Sequence, residues 1–97
     1  MRRIARVDAN QPAIISALRQ AGADVFPLHT VGSGCPDLLV GFRGVNLLLE
    51  VKDGSKPARD RRLTDDEQAF FERWRGQKAV VKCVDEALDI LRYTGVR

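Results

Sequence analysis

The hydrophobic and polar positions along the chain sort into seven segments. From Asp8 to Gln20 the apolar residues Ile14, Ile15, Leu18 and Ala21 recur at spacings of three and four, which predicts a helix with one buried stripe. Asp8 with Gln11 three residues later resembles a capping box, Pro12 fits only in a first turn, and Gly22 stops the helix. Val25 to Leu28 reads as a short strand. The stretch from Thr30 to Pro36 holds Gly32, Gly34 and Pro36 and reads as a loop. Asp37 to Phe42 and Val45 to Lys52 read as two strands joined by a tight turn at Arg43-Gly44. Their runs of consecutive leucine and valine suit a sheet covered on both faces. After a polar, basic stretch from Asp53 to Arg62, Thr64 and Glu67 form a capping box for a second helix. Its buried face is expected to be Phe70, Phe71 and Trp74, with Gly76 as its end. Ala79 to Val84 is the last strand, and Asp85 caps a final helix whose Leu88 and Leu91 face the core. The order is αβββαβα, an α/β fold with a small mixed four-stranded sheet flanked by helices, and residues 1–97 form a single domain.

Composition narrows the setting. Nothing approaches the ~20 apolar residues of a membrane span, and no apolar stretch follows Arg2, Arg3 and Arg6 as a secretory signal would require. Two cysteines, Cys35 and Cys83, and one histidine, His29, supply neither a disulfide framework nor a four-ligand zinc site, so a cytoplasmic setting is expected. The 16 basic and 13 acidic residues leave a net charge of +3. Its distribution matters more than its size, because Lys56, Arg59, Arg61 and Arg62 cluster in one loop.

That loop directly follows the stretch richest in chemistry. The turn at Arg43-Gly44 makes its two strands antiparallel, so Asp37 and Glu50 come side by side at one end. Strand alternation puts Glu50 and Lys52 on one face and turns Val51 to the other. Carboxylates inside apolar strands are costly unless paired. Two hard oxygen ligands suit Mg²⁺, which keeps waters and takes phosphate oxygens, and a neighbouring lysine can orient a nucleophile or stabilise charge in the transition state. These are the parts that hydrolyse a phosphodiester. A buried Glu50–Lys52 ion pair without catalytic meaning is the plainer alternative.

Pro36-Asp37 followed by Glu50-Val51-Lys52 resembles the signature of the PD-(D/E)XK nuclease superfamily. Three further stretches resemble its VRR-NUC (virus-type replication-repair nuclease) family, especially short, stand-alone, phage-like members. They are Gly34 to Gly41, Leu49 to Gly54 and Leu63 to Glu67, together with the opening helix. The resemblance implies a restriction-endonuclease-like core. It implies Asp37 and Glu50 as ligands of Mg²⁺, for which Mn²⁺ would substitute, Val51 as a ligand through its backbone carbonyl, and Lys52 as the catalytic lysine. Asp8 on the first helix, with Asn10 beside it, is the candidate for an additional acidic ligand, although it equally reads as a helix cap. Glu67 or Gln68 occupies the place where relatives often carry Gln, and Glu67 also reads as a cap.

The expected activity is metal-dependent, structure-specific endonucleolytic cleavage of branched DNA, four-way (Holliday) junctions or flaps, as in DNA repair. Nothing in the chain reads base sequence. A homodimer is expected, since two-fold junctions call for two sites. Lys56, Arg59, Arg61 and Arg62, with Gly34 allowing close backbone approach, are the expected DNA contacts, and Arg2, Arg3 and Arg6 add to them or are a frayed end. His29 either contacts the scissile phosphate or is structural, and Cys35 packs. The alternatives are a nuclease-like module that only binds nucleic acid, or a restriction-type or exonucleolytic enzyme of the same superfamily.

Overall fold

The computed structural model of the chain describes residues 7–94, so the expectations for Arg2, Arg3 and Arg6 lie outside the described residues. The element order is α1 (Gln11–Gln20), β1 (Asp24–Pro27), β2 (Leu38–Phe42), β3 (Val45–Val51), a 3-10 turn (Ala58–Arg61), α2 (Asp65–Arg73), β4 (Gln77–Val81) and α3 (Val84–Tyr93). The strands form one mixed sheet in the order β1-β2-β3-β4. β1, β2 and β3 run antiparallel, and β4 joins β3 in parallel after the α2 crossover. This is the expected small α/β architecture in the expected order. No helix among the described residues is long and apolar enough to cross a membrane.

One face of the sheet carries the core. Val25, Leu38, Val40, Leu47, Leu49, Val51 and Val81 project from the strands onto Ile14 and Leu18 of α1 and Ala87 and Leu91 of α3. These side chains alternate along β2, where Leu38 and Val40 are buried and Leu39 between them is exposed. Only β3 is buried on both faces, so the expectation of a sheet covered on both sides holds for β3 and not for β2. Free outer positions on β1 are few. Pro27 has no N–H to offer, and the Arg19 guanidinium donates to the Val25 carbonyl at 2.9 Å, which blunts that edge.

Helix boundaries correct several expectations. α1 begins at Gln11 with Asn10 as its N-cap residue, and neither Asn10 nor Asp8 caps it through a side chain. Asp8 contributes only its backbone carbonyl, which accepts from the Gln11 amide at 3.0 Å. Gly22, at φ +101°, ends the helix as expected. Ala21 is exposed, and Ala23 takes the buried place after the turn. β1 and β4 each start earlier than expected. Asp85 lies inside the first turn of α3, whose N-cap is Cys83, and Leu88 is only half-buried while Leu91 is buried.

The largest correction concerns α2. Both halves of its Thr64–Glu67 capping box are formed, as expected. Yet the helix ends at Arg73 rather than Gly76, and it buries none of its residues. Phe70 and Phe71 are half-buried and Trp74 is exposed, so the aromatic face expected in the core sits at the surface instead.

Gly34 shows how closely α2 is held. At φ +77°, its α-carbon faces the backbone of Asp66, and a Cβ there would overlap the Asp66 carbonyl. Gly34 therefore has a packing reason to be glycine, independent of any DNA contact. Gly34→Ala is expected to cost at least about 2 kcal/mol, from left-handed backbone strain together with the overlap. Urea unfolding measures this, and a wild-type midpoint would refute the close approach.

Candidate active site

The hairpin register builds the site. Leu38 pairs with Leu49, so Asp37 just before β2 comes next to Glu50 near the end of β3. The Val51 amide donates to Asp37 Oδ2 at 2.7 Å, which fixes the carboxylate across the strand pair. Because a strand residue sends its N–H and C=O to the same side, the Val51 carbonyl also leaves the strand on the Asp37 side. The Val51 side chain is buried in the core, as expected.

Glu50 is 2% exposed, and its Oε1 has no hydrogen-bond partner. Burial, then the charges of Asp37 and Glu67, push its carboxyl up to about 9. Asp37 is also raised, chiefly by burial, although the bond from the Val51 amide opposes this. A buried carboxylate with an orphaned oxygen beside a half-buried one is costly unless its charge is met, and the pair is suited to a cation. They fit a hard divalent cation, which takes carboxylate oxygens and can leave other positions to water and phosphate oxygens. Among the described residues no three His, Cys, Asp or Glu side chains converge as a complete cage. The protein donors at hand are Asp37, Glu50 and the Val51 carbonyl.

Lys52 stands beside them, with Nζ 3.6 Å from Glu50 Oε2 and 2.8 Å from Glu67 Oε1. Burial works against its charge. The hydrogen bond and charge of Glu67, with the charges of Glu50 and Asp37, outweigh burial and raise its pKa. Lys52 is thus a held ammonium. Glu67 moves the other way despite burial: bonds from Lys52 and from the Thr64 amide lower its pKa and keep it ionised.

Glu67 answers the choice left open by the sequence by filling both roles. Its Oε1 accepts from the Thr64 amide at 2.8 Å as a helix cap and from Lys52 at 2.8 Å as a partner of the site. Helical spacing gave the cap. Only the close approach of α2 to the end of β3 gives the second contact. Gln68 instead donates to Glu72 on the exposed side of α2.

Asn10 is the contact that sequence reasoning placed least well. Its Nδ2 donates to the Lys52 carbonyl at 3.1 Å and the Lys82 carbonyl at 3.0 Å, pinning the ends of β3 and β4 to the start of α1. Asn10→Ala is expected to cost about 1–2 kcal/mol, since the Lys52 carbonyl loses the Asn10 donor and the Lys82 carbonyl keeps only the Gly54 amide. By loosening Lys52 it should also slow any cleavage by up to about 10²-fold, the effect of roughly 1 Å of misplacement. Thermal melts and single-turnover rates read the two effects separately, and an unchanged rate would remove Asn10 from the support of the site.

Asp8 does not cap α1, but its carboxylate is close enough to help raise the Asp37 pKa, and its Oδ1 lies 3.7 Å from Lys56 Nζ. The basic stretch divides. Lys56, Arg59 and Arg62 are exposed. Arg61 is half-buried and its Nε has no partner; Glu86 of α3 is kept ionised chiefly by hydrogen bonds from Lys82, with the Arg61 charge adding least. His29 is half-buried with Nδ1 unpartnered. Cys35 is half-buried next to the pair; burial first, then the charges of Glu50 and Asp37, push its thiol up.

A carboxylate pair at the open end of a β-hairpin, with a lysine two residues beyond the second carboxylate, is the arrangement of a PD-(D/E)XK-type nuclease. Comparison with known proteins sharpens this. The chain is similar to a solved structure described as a "VRR_NUC domain", with 28% sequence identity, a TM-score of 0.57, and coverage of 87% of this chain and 91% of that one. That likeness supports membership of the VRR-NUC family, and the fold is that of a VRR-NUC nuclease domain. No family model matches the chain, and no curated protein matches it.

Proposed function

We propose that the protein is a metal-dependent endodeoxyribonuclease that cuts branched DNA, four-way junctions or flaps. The observation that carries the hydrolytic reading is the buried Glu50, with its orphaned oxygen, set next to the half-buried Asp37 and beside Lys52. Asp37, Glu50 and the Val51 carbonyl would hold Mg²⁺, with Mn²⁺ as a substitute, and the ion would supply charge neutralisation at the phosphate and activation of water. Lys52 presents a fixed positive charge to the phosphate or to the attacking water. Glu67 orients Lys52, and Asn10 anchors the strand that carries it. Lys56, Arg59 and Arg62 offer charge to the DNA backbone just beyond β3, and such contacts bind without reading sequence. Asp8 is placed to modulate the charge at Asp37. A homodimer would present two sites to a two-fold junction, and the cytoplasm of a bacterial or phage-infected cell is the proposed setting.

The test is cleavage of duplex, flap and four-way-junction DNA in Mg²⁺ or Mn²⁺ by the wild type and by Asp37→Ala. Branched substrates should be cut by the wild type alone. Cutting that survives Asp37→Ala would refute the assignment, and tight binding with no cutting under any condition would favour a binding module. Light scattering on the eluted protein reads the oligomeric state, with a monomer at micromolar concentration counting against the dimer.

A further inference from the structure

The aromatic end of α2 is the feature that neither the fold nor the catalytic carboxylates account for. Phe70 and Trp74, one helical turn apart, stack with ring centroids 5.5 Å apart and planes inclined by 18°. Trp74 is 40% exposed at the end of a helix that buries nothing. A surface pair like this is normally free to rotate, yet this one is held. The indole rests against Gly76, where a Cβ would come within 2.7 Å of Nε1. Lys78 donates to the Trp74 carbonyl at 2.7 Å, and the Arg73 guanidinium lies 5.4 Å from the Phe70 ring centre.

Charge is segregated along the same helix. Asp65, Asp66 and Glu67 occupy its first turn, whereas Arg73 lies over Phe70, Lys78 bonds the Trp74 carbonyl and Arg75 follows Trp74 in the chain. Glu72, the acid between the two aromatic residues, accepts from Gln68. Glu67, Phe70 and Trp74 follow one another at i, i+3 and i+7 and so share a helix face. Because Glu67 binds Lys52, that face leads from the carboxylate site to the stack. Its length is about 10 Å at 1.5 Å per residue, a span that a short stretch of one DNA strand can bridge.

We propose that the Phe70–Trp74 stack is a platform on which an unpaired nucleobase of the DNA substrate stacks while its strand runs to the carboxylate site. The proposal rests on the nuclease reading above and adds how such a site would favour DNA with unpaired bases. Aromatic faces hold bases without regard to sequence, and the basic rim suits the intervening phosphates. An apolar protein partner would leave Arg73, Arg75 and Lys78 to be desolvated.

Trp74 is the sole tryptophan of the chain, so its fluorescence reports the event directly. The wild type is titrated, with Ca²⁺ in place of Mg²⁺, with blunt duplex and with the same duplex bearing a single-stranded tail, while anisotropy of labelled DNA gives affinity. The tailed DNA should quench Trp74 and the blunt duplex should not. Trp74→Leu should weaken binding of tailed DNA by roughly 5- to 150-fold, blunt duplex by far less, and Trp74→Phe should restore most of the loss. Binding of tailed DNA without quenching, or equal loss on both DNAs, overturns the platform while leaving the nuclease reading intact. If neither DNA binds and no substrate is cut, both readings fail. A Trp74 signal that follows protein concentration instead of DNA, with Trp74→Leu dissociating a dimer, assigns the stack to self-association and overturns the proposal.

Discussion

Glu50→Gln is expected to melt at a higher temperature than the wild type in alkaline, metal-free buffer and to lose cleavage. The reason is the location of Glu50, 2% exposed and beside Asp37. Burial is the main cause that raises its pKa to about 9 from an ordinary 4.5, so the folded protein holds a proton there that the unfolded chain releases. The sign follows from linkage. The stability conferred by a raised carboxyl is fully present below pH 4.5 and is lost as pH rises through about 9. Glutamine resembles the protonated carboxyl and does not titrate. The two proteins should therefore melt alike near pH 5, with the variant gaining on the wild type by on the order of 1 kcal/mol per pH unit from there to about pH 9 and no further beyond it. In a domain of this size each 1 kcal/mol moves Tm by roughly 4–8 °C. Cleavage should fall by at least on the order of 10²-fold, because the amide brings no charge to the site. Thermal melts across pH, paired with cleavage rates, check both halves. A variant that melts below the wild type at pH 9 would show that Glu50 is held by structure rather than kept for function.

That cost also explains why the site stands out in the sequence. Leu38, Val40, Leu47 and Leu49 announce two strands, and an acid placed among such residues has few structural justifications. Asp37, Glu50 and Lys52 were therefore readable from periodicity together with one tight turn. The order of elements was readable for the same reason, as was the capping box at Thr64, which depends on four consecutive residues. Contacts that cross the fold were not. Asn10 reaches carbonyls 42 and 72 positions away, and no local pattern distinguishes it from an ordinary cap. Asp8 illustrates the converse: its spacing to Gln11 fits a capping box, yet the helix starts after Asn10 and the carboxylate turns toward Lys56. The aromatic face of α2 misled because hydrophobic spacing tells which residues share a face and not whether anything covers it. The likeness to a VRR-NUC domain adds nothing on that last point, since fold similarity at 28% identity does not place individual surface side chains.

Divalent ions should stabilise the protein in a pH-dependent manner, and the dependence should disappear in Asp37→Ala. An ion held by Asp37 and Glu50 needs both as carboxylates, whereas the ion-free protein keeps Glu50 protonated through neutral pH. Binding must therefore expel about one proton per site near pH 7, and affinity should rise with pH until about 9, where Glu50 ionises unaided. An ion at 100 times its Kd adds about 2.7 kcal/mol to stability, a Tm rise of roughly 10–20 °C for a chain of this length. The rise should be small at pH 5, large at pH 8 to 9, and similar in kind for Mg²⁺ and Mn²⁺. Calorimetric titration in two buffers of different ionisation enthalpy counts the expelled protons directly. An ion-induced shift of equal size at pH 5 and pH 9, or none at all, would separate the carboxylate pair from metal binding. A shift confined to high pH and lost in Asp37→Ala would tie the expensive burial of Glu50 to the ion, because the charge that destabilises the empty site is the charge the ion requires.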